Sequence, residues 1–463
     1  MKRSIFTFVL LLALIPLHAA IWTPAIISDN MVLQQNSECT IWGWTDKTSE
    51  KITVTGSWNN IPVSVKAYQG LWSVKLKTGS AGGPYTVTIK GHEAIVLKNV
   101  MLGEVWLLSG QSNMHRTPMQ ELNNKEEEIK NAKYPAIRFF NVPLHQSGTR
   151  QDDTPGRWEE CTPETFKTFS SAGYFFGREI HQKLNVPVGL INSSWGGTPI
   201  KVWIRDSVLR SHKELYEQVK KIQKTPWWPD RPGSAYNSMI YPFIKFNIAG
   251  ALWYQGESDR QVPETYYETL PLLIEAWRKD RGKEFPFYFV QIAPFNYKQD
   301  TTNIQAAIVR DAQLQTMLTV PNTGMVVTND IGELNNIHPA DKQDVGKRLA
   351  LWALAKSYGV KDIVFSGPVY KSMEVKRNKA VIHFDYVDGG LMQKGKVLKE
   401  FYIAGADKKF YPAKARIKGD TVEVWNKKVK KPAAVRFAFS NTALPNLFNK
   451  AGLPASAFKT DNW

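Results

Sequence analysis

Residues 105–114 read VWLLSGQSNM, and this stretch decides the fold because a short apolar run leads directly into a polar turn. The run at 105–108 is continuously apolar, which is typical of a strand buried on both faces of a sheet. Four further runs of this kind follow, at 188–192, 248–254, 287–292 and 325–328. Stretches with apolar side chains at helical spacing lie between runs or after the last one, at 172–184 and 341–358. Alternation of strand and helix predicts an α/β domain with a parallel sheet covered on both faces.

Regions with a β pattern lie on both sides of this α/β region. Short alternating runs separated by turn residues fill residues 21–100, and similar runs return in the last hundred residues. We therefore predict an N-terminal β domain at 21–100, an α/β domain at 101–360 and a C-terminal β region at 361–463. Both flanking regions are expected to be β-sandwiches. The sequence leaves open whether the C-terminal strands form a separate module or join the N-terminal sandwich.

The first twenty residues have the pattern of a secretory signal peptide. Lys2 and Arg3 precede an apolar stretch at 5–16, and the small residues Ala19 and Ala20 follow. The apolar stretch is too short for a permanent membrane span. We therefore expect an exported protein, periplasmic or extracellular, with no membrane-spanning segment.

Composition argues against several classes of protein. The 59 Lys and Arg against 42 Asp and Glu give a net charge of +17, but no recognisable nucleic-acid-binding module accompanies this charge. No HExxH spacing and no cluster of cysteine ligands is present, so no metal site is expected. Export would allow Cys39 and Cys161 to form a disulfide, and the sequence leaves their pairing open.

Chemistry-bearing residues follow the apolar runs at the places where strands end. Ligands of open parallel sheets bind beyond the carboxyl ends of the strands. The residues found there are Ser112 after the first run, Gly196 and Gly197 after the second, Gln255 and Glu257 after the third, and His338 in the loop after the last. One edge of the sheet is therefore expected to collect a hydroxyl, an imidazole, an amide and a carboxylate.

These groups are the parts of a serine hydrolase. A serine hydroxyl needs an adjacent base to take its proton, and histidine has a suitable pKa. His338 is the expected base for Ser112, with His115 as a rival. The oxyanion of a tetrahedral intermediate needs fixed donors, which the backbone N–H groups of Ser112 and Gly197 and the side-chain amide of Gln255 would supply.

Four short motifs in order resemble those of the SGNH (GDSL-like) hydrolases. They are QSN at 111–113, GG at 196–197, WYQGE at 253–257 and IHP at 337–339. More narrowly they resemble the sialate O-acetylesterase family, with acetylxylan esterases as cousins. The stretches SDNMVLQ at 28–34, GGPY at 82–85 and GLP at 452–454 extend the resemblance along the mature chain. The resemblance implies an SGNH-type, flavodoxin-like parallel sheet at 101–360, flanked by the two β-sandwich regions.

Carried over by position, the resemblance implies the same roles for the site residues. Ser112 matches the nucleophile and His338 the general base. Ser112, Gly197 and Gln255 match the oxyanion hole, with Gly196 an equally placed neighbour of Gly197.

The third member of the triad departs from the usual family pattern. Many SGNH members carry an Asp three residues before the histidine, and here that position is Asn335. In related acetylxylan esterases a Glu of the Gln-Gly-Glu motif orients the histidine, which points to Glu257. Asp330, Glu333 and a Ser–His dyad without a carboxylate remain open.

The function implied is a secreted serine esterase that removes O-acetyl groups from sialic acids through an acetyl-enzyme intermediate, with no cofactor. The alternative within enzymes is an acetylxylan or other carbohydrate O-acetylesterase. From a different class, the alternative is an array of carbohydrate-binding modules without catalysis. Trp227 and Trp228, in a proline-flanked loop, are a candidate platform for a sugar ring.

Overall fold

A central sheet of parallel strands, extended by antiparallel β-sheets, organises the molecule. The computed structural model describes residues 21–463, so the signal-peptide prediction at 1–20 lies outside the described residues. The strands are β1 (Ile21–Trp22), β2 (Val32–Gln34), β3 (Glu38–Thr45), β4 (Lys51–Gly56), β5 (Pro62–Lys66), β6 (Leu71–Lys77), β7 (Gly82–Lys90), β8 (Ala94–Gly110), β9 (Tyr134–Asn141), β10 (Trp158–Cys161), β11 (Val188–Ser194), β12 (Gly250–Tyr254), β13 (Phe287–Val290), β14 (Thr323–Val326), β15 (Val369–Lys376), β16 (Lys379–Asp385), β17 (Leu391–Gln393), β18 (Phe401–Ala404), β19 (Tyr411–Pro412), β20 (Lys414–Lys418), β21 (Thr421–Trp425), β22 (Ala434–Phe437), β23 (Leu447–Asn449) and β24 (Phe458–Lys459).

The helices lie almost entirely in the middle region. They are α1 (Ser112–His115), α2 (Lys125–Asn131), α3 (Pro163–Phe166), α4 (Ser171–Leu184), α5 (Asp206–Ser211), α6 (Lys213–Val219), α7 (Tyr266–Arg281), α8 (Gln305–Thr319) and α9 (Lys342–Trp352). Short 3-10 segments occur at Ile200–Trp203, Tyr241–Phe243, Glu257–Gln261 and Pro263–Thr265, and π-helical turns at Tyr236–Ile240 and Ala353–Ser357. The fold is therefore mixed α/β, as the sequence predicts.

The central sheet has the strand order β10-β9-β11-β8-β12-β13-β14. All neighbouring pairs from β9 to β14 are parallel, and the edge strand β10 pairs antiparallel with β9. Because parallel neighbours need a crossover, helices connect most of them and cover both faces of the sheet.

Strand β8 shows why these runs are continuously apolar. Its side chains alternate between two hydrophobic clusters, with Val105 and Leu107 in one and Trp106 and Leu108 in the other. Helices α7 and α8 contribute to the first cluster, and α4 and α9 to the second. A strand between two helical layers buries every side chain, which removes the polar alternation of a half-exposed strand.

The same strand joins the N-terminal β region to the central sheet. Its first half pairs with β7 and β2, and its second half with β11 and β12. A domain boundary after residue 100 therefore falls inside one continuous strand. In the N-terminal region, Ile52 and Val54 of β4 share a cluster with Val74 and Leu76 of β6, so the two sheets bury facing sides.

The C-terminal β region forms its own sheets. The orders are β15-β16-β21-β20 and β19-β18-β22-β24, with β17-β23 as a separate pair. Phe458 of β24 stacks on Tyr370 of β15, with ring centroids 4.7 Å apart, and meets Phe384 of β16 edge-on at 5.9 Å. These contacts join the two four-stranded sheets. Within residues 21–463, none of these strands pairs with a strand of the N-terminal region.

The two cysteines are separate, buried thiols rather than a disulfide. Burial raises the pKa of Cys39 to about 11 and that of Cys161 to about 12. Of the helices in the described part of the chain, none is long and apolar enough to cross a membrane.

Candidate active site

A tight turn at the end of β8 presents Ser112. Gly110 ends the strand with φ +128°, a conformation that favours glycine. A Cβ on Gly110 would lie 2.3 Å from the Tyr254 carbonyl oxygen of the neighbouring strand, so a side chain has no room. Two residues later Ser112 begins the single-turn helix α1. The glycine thus allows the chain to leave the sheet at its carboxyl edge.

The register of the sheet brings three polar turns to the same edge. Gly110 of β8 is directly opposite Ser194 of β11 and Tyr254 of β12. The residues after these three positions therefore emerge side by side. This places the segments at 111–114, 195–198 and 255–259 next to one another, as the sequence predicts.

His338 completes a hydrogen-bonded pair with Ser112. Its Nε2 atom lies 2.9 Å from Ser112 Oγ, although 226 positions separate the two residues. The loop after β14 carries His338 across the sheet edge, and the Asn336 side chain accepts the His338 backbone N–H at 2.9 Å. The distance is suitable for proton transfer.

The other nitrogen of the His338 ring contacts a cation. Arg116 Nη2 donates to His338 Nδ1 at 2.9 Å. Burial, together with the charges of Arg116 and Lys342, lowers the pKa of His338 to about 4. A guanidinium only donates, so Nδ1 is the acceptor and the proton of the neutral ring lies on Nε2, where it faces Ser112.

No carboxylate contacts His338 among residues 21–463. Glu257 Oε1 accepts from Asn113 Nδ2 at 2.7 Å, and its Oε2 is buried without a partner. Asp330 pairs with Arg348 through both oxygens, at 2.7 and 2.8 Å.

Glu333, the remaining acid, is equally removed from the ring, since it accepts the Ala340 backbone N–H at 2.9 Å. The structure therefore shows a Ser–His pair, and the expected contact from Glu257 to His338 is not formed.

Asn113 connects the groups beneath this pair. It is buried, and its Nδ2 donates both to Glu257 and to the Ile337 carbonyl, the latter at 3.0 Å. Its Oδ1 accepts from Lys342 Nζ at 2.7 Å. Asn113 thus binds two buried ionisable side chains and the backbone just before His338.

Backbone donors for an oxyanion lie beside Ser112. The N–H groups of Ser112, Gly196 and Gly197 make no hydrogen bond within the described residues. A Cβ on Gly196 would lie 3.5 Å from Ser112 Cβ, which places this turn against Ser112. Gly197 has φ +76°, and a Cβ there would lie 2.6 Å from the Trp228 ring. Ser112 and Gly197 are thus available as donors, and their role in an oxyanion hole stays a prediction.

The Gln255 amide does not fit the predicted donor role in this geometry. The side chain is fully buried, and its Nε2 donates to the Thr198 carbonyl at 3.1 Å and to the Asp259 carboxylate. Its Oε1 accepts from Tyr266 at 2.8 Å. With both ends committed, Gln255 positions the turn behind the site.

The rival base His115 is bound elsewhere. Its Nδ1 lies 3.0 Å from the Ser194 carbonyl oxygen, and burial lowers its pKa. Ser112 therefore pairs with His338.

A pocket of about 570 Å³ opens over the Ser112–His338 pair. Its walls include Trp228, Arg260 and Tyr297 besides the residues already described. Arg260 stacks over the Tyr297 ring at 4.5 Å. The pocket therefore combines aromatic faces with positive charge, and it has the volume of a small-molecule site.

The pocket, the hydroxyl–imidazole pair and the free donors together are suited to acyl transfer. A family model described as a carbohydrate esterase, sialic acid-specific acetylesterase, matches residues 102–355, more than half of the chain. The chain belongs to this esterase family.

Relatives of the esterase are similar over most of their length. It is 32% identical to the sialate O-acetylesterase of Homo sapiens over 407 residues, which cover 80% of this chain and 77% of the human protein. It is 31% identical to that of Mus musculus over 420 residues, 78% of each chain. A crystal structure of a carbohydrate acetylesterase from Xanthomonas citri superposes with TM-score 0.87 and 35% identity, covering 96% of this chain and all of that one.

Family membership makes the esterase a carboxylic ester hydrolase, as the sequence predicts. The sequence predicts Ser112 and His338 as partners, and the structure brings them together, but the sequence does not predict the contacts of Arg116 and Asn113. Asn113 had a signal, because it lies inside the SGQSNM turn. Arg116 had none, since its contact with a histidine 222 positions away depends on the three-dimensional path of a loop. In the part of the chain that the structure describes, no group of His, Cys, Asp and Glu side chains is placed to hold a metal ion.

Proposed function

We propose that the protein is a serine esterase that removes O-acetyl groups from sialic acids through a covalent acetyl-enzyme. The 2.9 Å contact between Ser112 Oγ and His338 Nε2 at the mouth of the pocket carries this proposal. Family membership and the sialate O-acetylesterase relatives supply the substrate class.

The proposed reaction uses the groups at the mouth of the pocket. His338 Nε2, in the tautomer with a free lone pair, takes the Ser112 proton while Oγ attacks the acetyl carbonyl. The N–H groups of Ser112, Gly196 and Gly197 receive the oxyanion. The sugar hydroxyl leaves with the proton from His338, and water activated by the same ring then releases acetate.

The role of Glu257 stays a prediction. Burial raises the pKa of this carboxyl, whereas the hydrogen bond from Asn113 lowers it. Comparing Glu257→Gln with Asp330→Asn on an aryl acetate tests the role. A loss of several orders of magnitude is expected only from the residue that orients His338.

A neutral acetylated glycan such as xylan is the second candidate substrate. The Xanthomonas citri protein is described as a carbohydrate acetylesterase and not as a sialate esterase, and this observation favours keeping the alternative. Acetate release from O-acetylated sialic acid and from acetylated xylan should be compared on one preparation. A higher kcat/KM on xylan would replace the sialate assignment.

The nucleophile has its own test. Ser112→Ala should abolish turnover of an aryl acetate while the circular dichroism spectrum remains that of the wild type. Thr198→Ser, a change in the adjacent turn that keeps the hydroxyl, serves as a control. Unchanged turnover in Ser112→Ala would show that another residue is acylated.

Two finer assignments belong to this proposal. An SGNH-type, flavodoxin-like sheet is supported by the order β11-β8-β12-β13-β14, because numbering these five strands along the chain gives 2-1-3-4-5. Export is supported by the signal-like sequence at 1–20. Mass spectrometry of the mature N-terminus after expression in a secreting host tests the export.

A further inference from the structure

The contact between Arg116 and His338 is the feature that a simple Ser–His mechanism leaves unexplained. Arg116 Nη2 donates to Nδ1, so the Nε2 atom that faces Ser112 carries the proton of the neutral ring. A ring in this tautomer has no lone pair for the Ser112 hydroxyl. To act as a base, His338 must lose the Arg116 contact and move its proton to Nδ1.

In the described part of the chain, Arg116 has no acidic partner that would hold it away from the ring. Within residues 21–463 its guanidinium makes no ion pair, and its side-chain hydrogen bond is the one to His338. The carboxylates near the site, at Glu257, Asp330 and Glu333, are bound to other groups. The Arg116 guanidinium, which has no carboxylate partner in the described residues, lines the pocket together with Ser112.

We propose that Arg116 is the subsite for the carboxylate of an acidic sugar, and that carboxylate binding withdraws Arg116 from His338 Nδ1 and allows the base to form. This inference rests on the proposed function, because it explains how the same site would favour a sialic acid. A charged Arg–carboxylate pair is stronger than a bond to a neutral imidazole, so the anion competes effectively for the guanidinium.

The geometry allows one substrate to reach both groups. Arg116 and Ser112 each lie 2.9 Å from a different nitrogen of the His338 ring, so both groups adjoin the same imidazole. A sugar acid that carries an acetyl ester can place the ester at Ser112 and its carboxylate at Arg116. Arg260, in the same pocket without an ion pair in the described chain, adds to the positive potential.

We expect the esterase to prefer negatively charged substrates, and we expect this preference to depend on Arg116. The sharpest probe is a pair of substrates that differ only in charge, O-acetylated N-acetylneuraminic acid and its carboxyl methyl ester. The wild type should hydrolyse the acid with a kcat/KM about tenfold or more above that of the ester, as expected for one charge-assisted contact. In Arg116→Gln this ratio should fall to about one, and kcat on the neutral ester should rise because His338 is released. Arg116→Lys, which keeps the charge, should retain part of the preference.

A second pair of substrates separates this inference from the proposed function. A carboxylated aryl acetate and its methyl ester report on Arg116 whether or not sialic acids are hydrolysed. The wild type could fail to hydrolyse both O-acetylated N-acetylneuraminic acid and its methyl ester while Arg116→Gln still removes the preference for the anionic aryl acetate. In that case the sialate assignment fails and the carboxylate subsite stands.

A matched control shows that the effect belongs to the pocket. Arg157→Gln removes a guanidinium that is 82% exposed and paired with Glu159, and it should leave both ratios as in the wild type. The carboxylate subsite is refuted if Arg116→Gln lowers kcat/KM equally for the carboxylic acid substrate and its methyl ester. It is also refuted if the variant leaves both ratios unchanged.

Discussion

Replacing Asn113 by alanine should destabilise the protein more than the loss of an ordinary buried amide. Asn113 is 1% exposed and is a hydrogen-bond partner of two buried charged side chains, Glu257 and Lys342. Glu257 Oε2 already lacks a partner, so the variant would leave the whole carboxylate without one among the described residues. Lys342 would lose its hydrogen bond in a site where burial already lowers its pKa to about 8.

The magnitude follows from the charges of these partners. Hydrogen bonds to charged groups contribute about 1.5–3 kcal/mol each, so losing the bonds to Glu257 and Lys342 together should cost about 3–5 kcal/mol. Asn192 provides a matched control, since it is 5% exposed and its side chain bonds to the neutral Asn141 and Ser194. Neutral hydrogen bonds contribute about 1 kcal/mol each, so Asn192→Ala should cost about 1–2 kcal/mol.

Urea unfolding of the two variants, followed by tryptophan fluorescence at pH 7, measures this difference. Asn113→Ala should also lower kcat on an aryl acetate, because it releases the Ile337 carbonyl that precedes His338. The reasoning is refuted if Asn113→Ala loses no more free energy of unfolding than Asn192→Ala. In that case Asn113 would not be what stabilises the buried charges.

Three further outcomes are expected. His338 can act as a base only when neutral, and its pKa is lowered to about 4. The kcat/KM on a neutral aryl acetate should therefore stay level from pH 7 to about 5 and fall below pH 4. A fall in kcat/KM centred near pH 6.5 would contradict this. Gly197→Val should lower kcat about 10²-fold, because the new Cβ meets the Trp228 ring and displaces an oxyanion donor, and turnover near that of the wild type would exclude this turn from the site. Asn441→Ala should raise KM more than kcat falls, because its side chain donates to Asp300 at 2.7 Å and Asp300 directly follows Gln299, which lines the pocket. An unchanged KM in steady-state kinetics would contradict this expectation.

The sequence predicts the sheet well because burial on both faces leaves a simple signal. The runs at 188–192 and 287–292 correspond to β11 and β13 within two residues at their ends, and the stretch at 172–184 to α4. The boundary after residue 100 is harder to place. Strand β8 passes through it, and apolar residues on the two sides look alike whether they pair with N-terminal strands or with the central sheet.

In the site, too, some features could be predicted from the sequence and others could not. Positions after strand ends could be predicted, because parallel strands share an edge, and the structure brings Ser112 and His338 together. Side-chain partners could not. Gln255 lies at the right edge, but Asp259 and Tyr266, on neighbouring segments, bind both ends of its amide. The orientation of a side chain depends on tertiary packing, which the spacing of residues along the sequence does not specify.

The electrostatics of the pair constrain the way in which the esterase works. In the proposed mechanism, attack by Ser112 converts His338 to imidazolium, and a pKa of about 4 instead of the usual 6.5 makes that step less favourable by about 3 kcal/mol. Backbone donors stabilise the oxyanion but do nothing for the new positive charge beside Arg116. An anion near Nδ1 at the moment of attack would offset this cost. Since Glu257 is held by Asn113 in this structure, the substrate carboxylate that we propose would supply that anion and neutralise Arg116 in the same event.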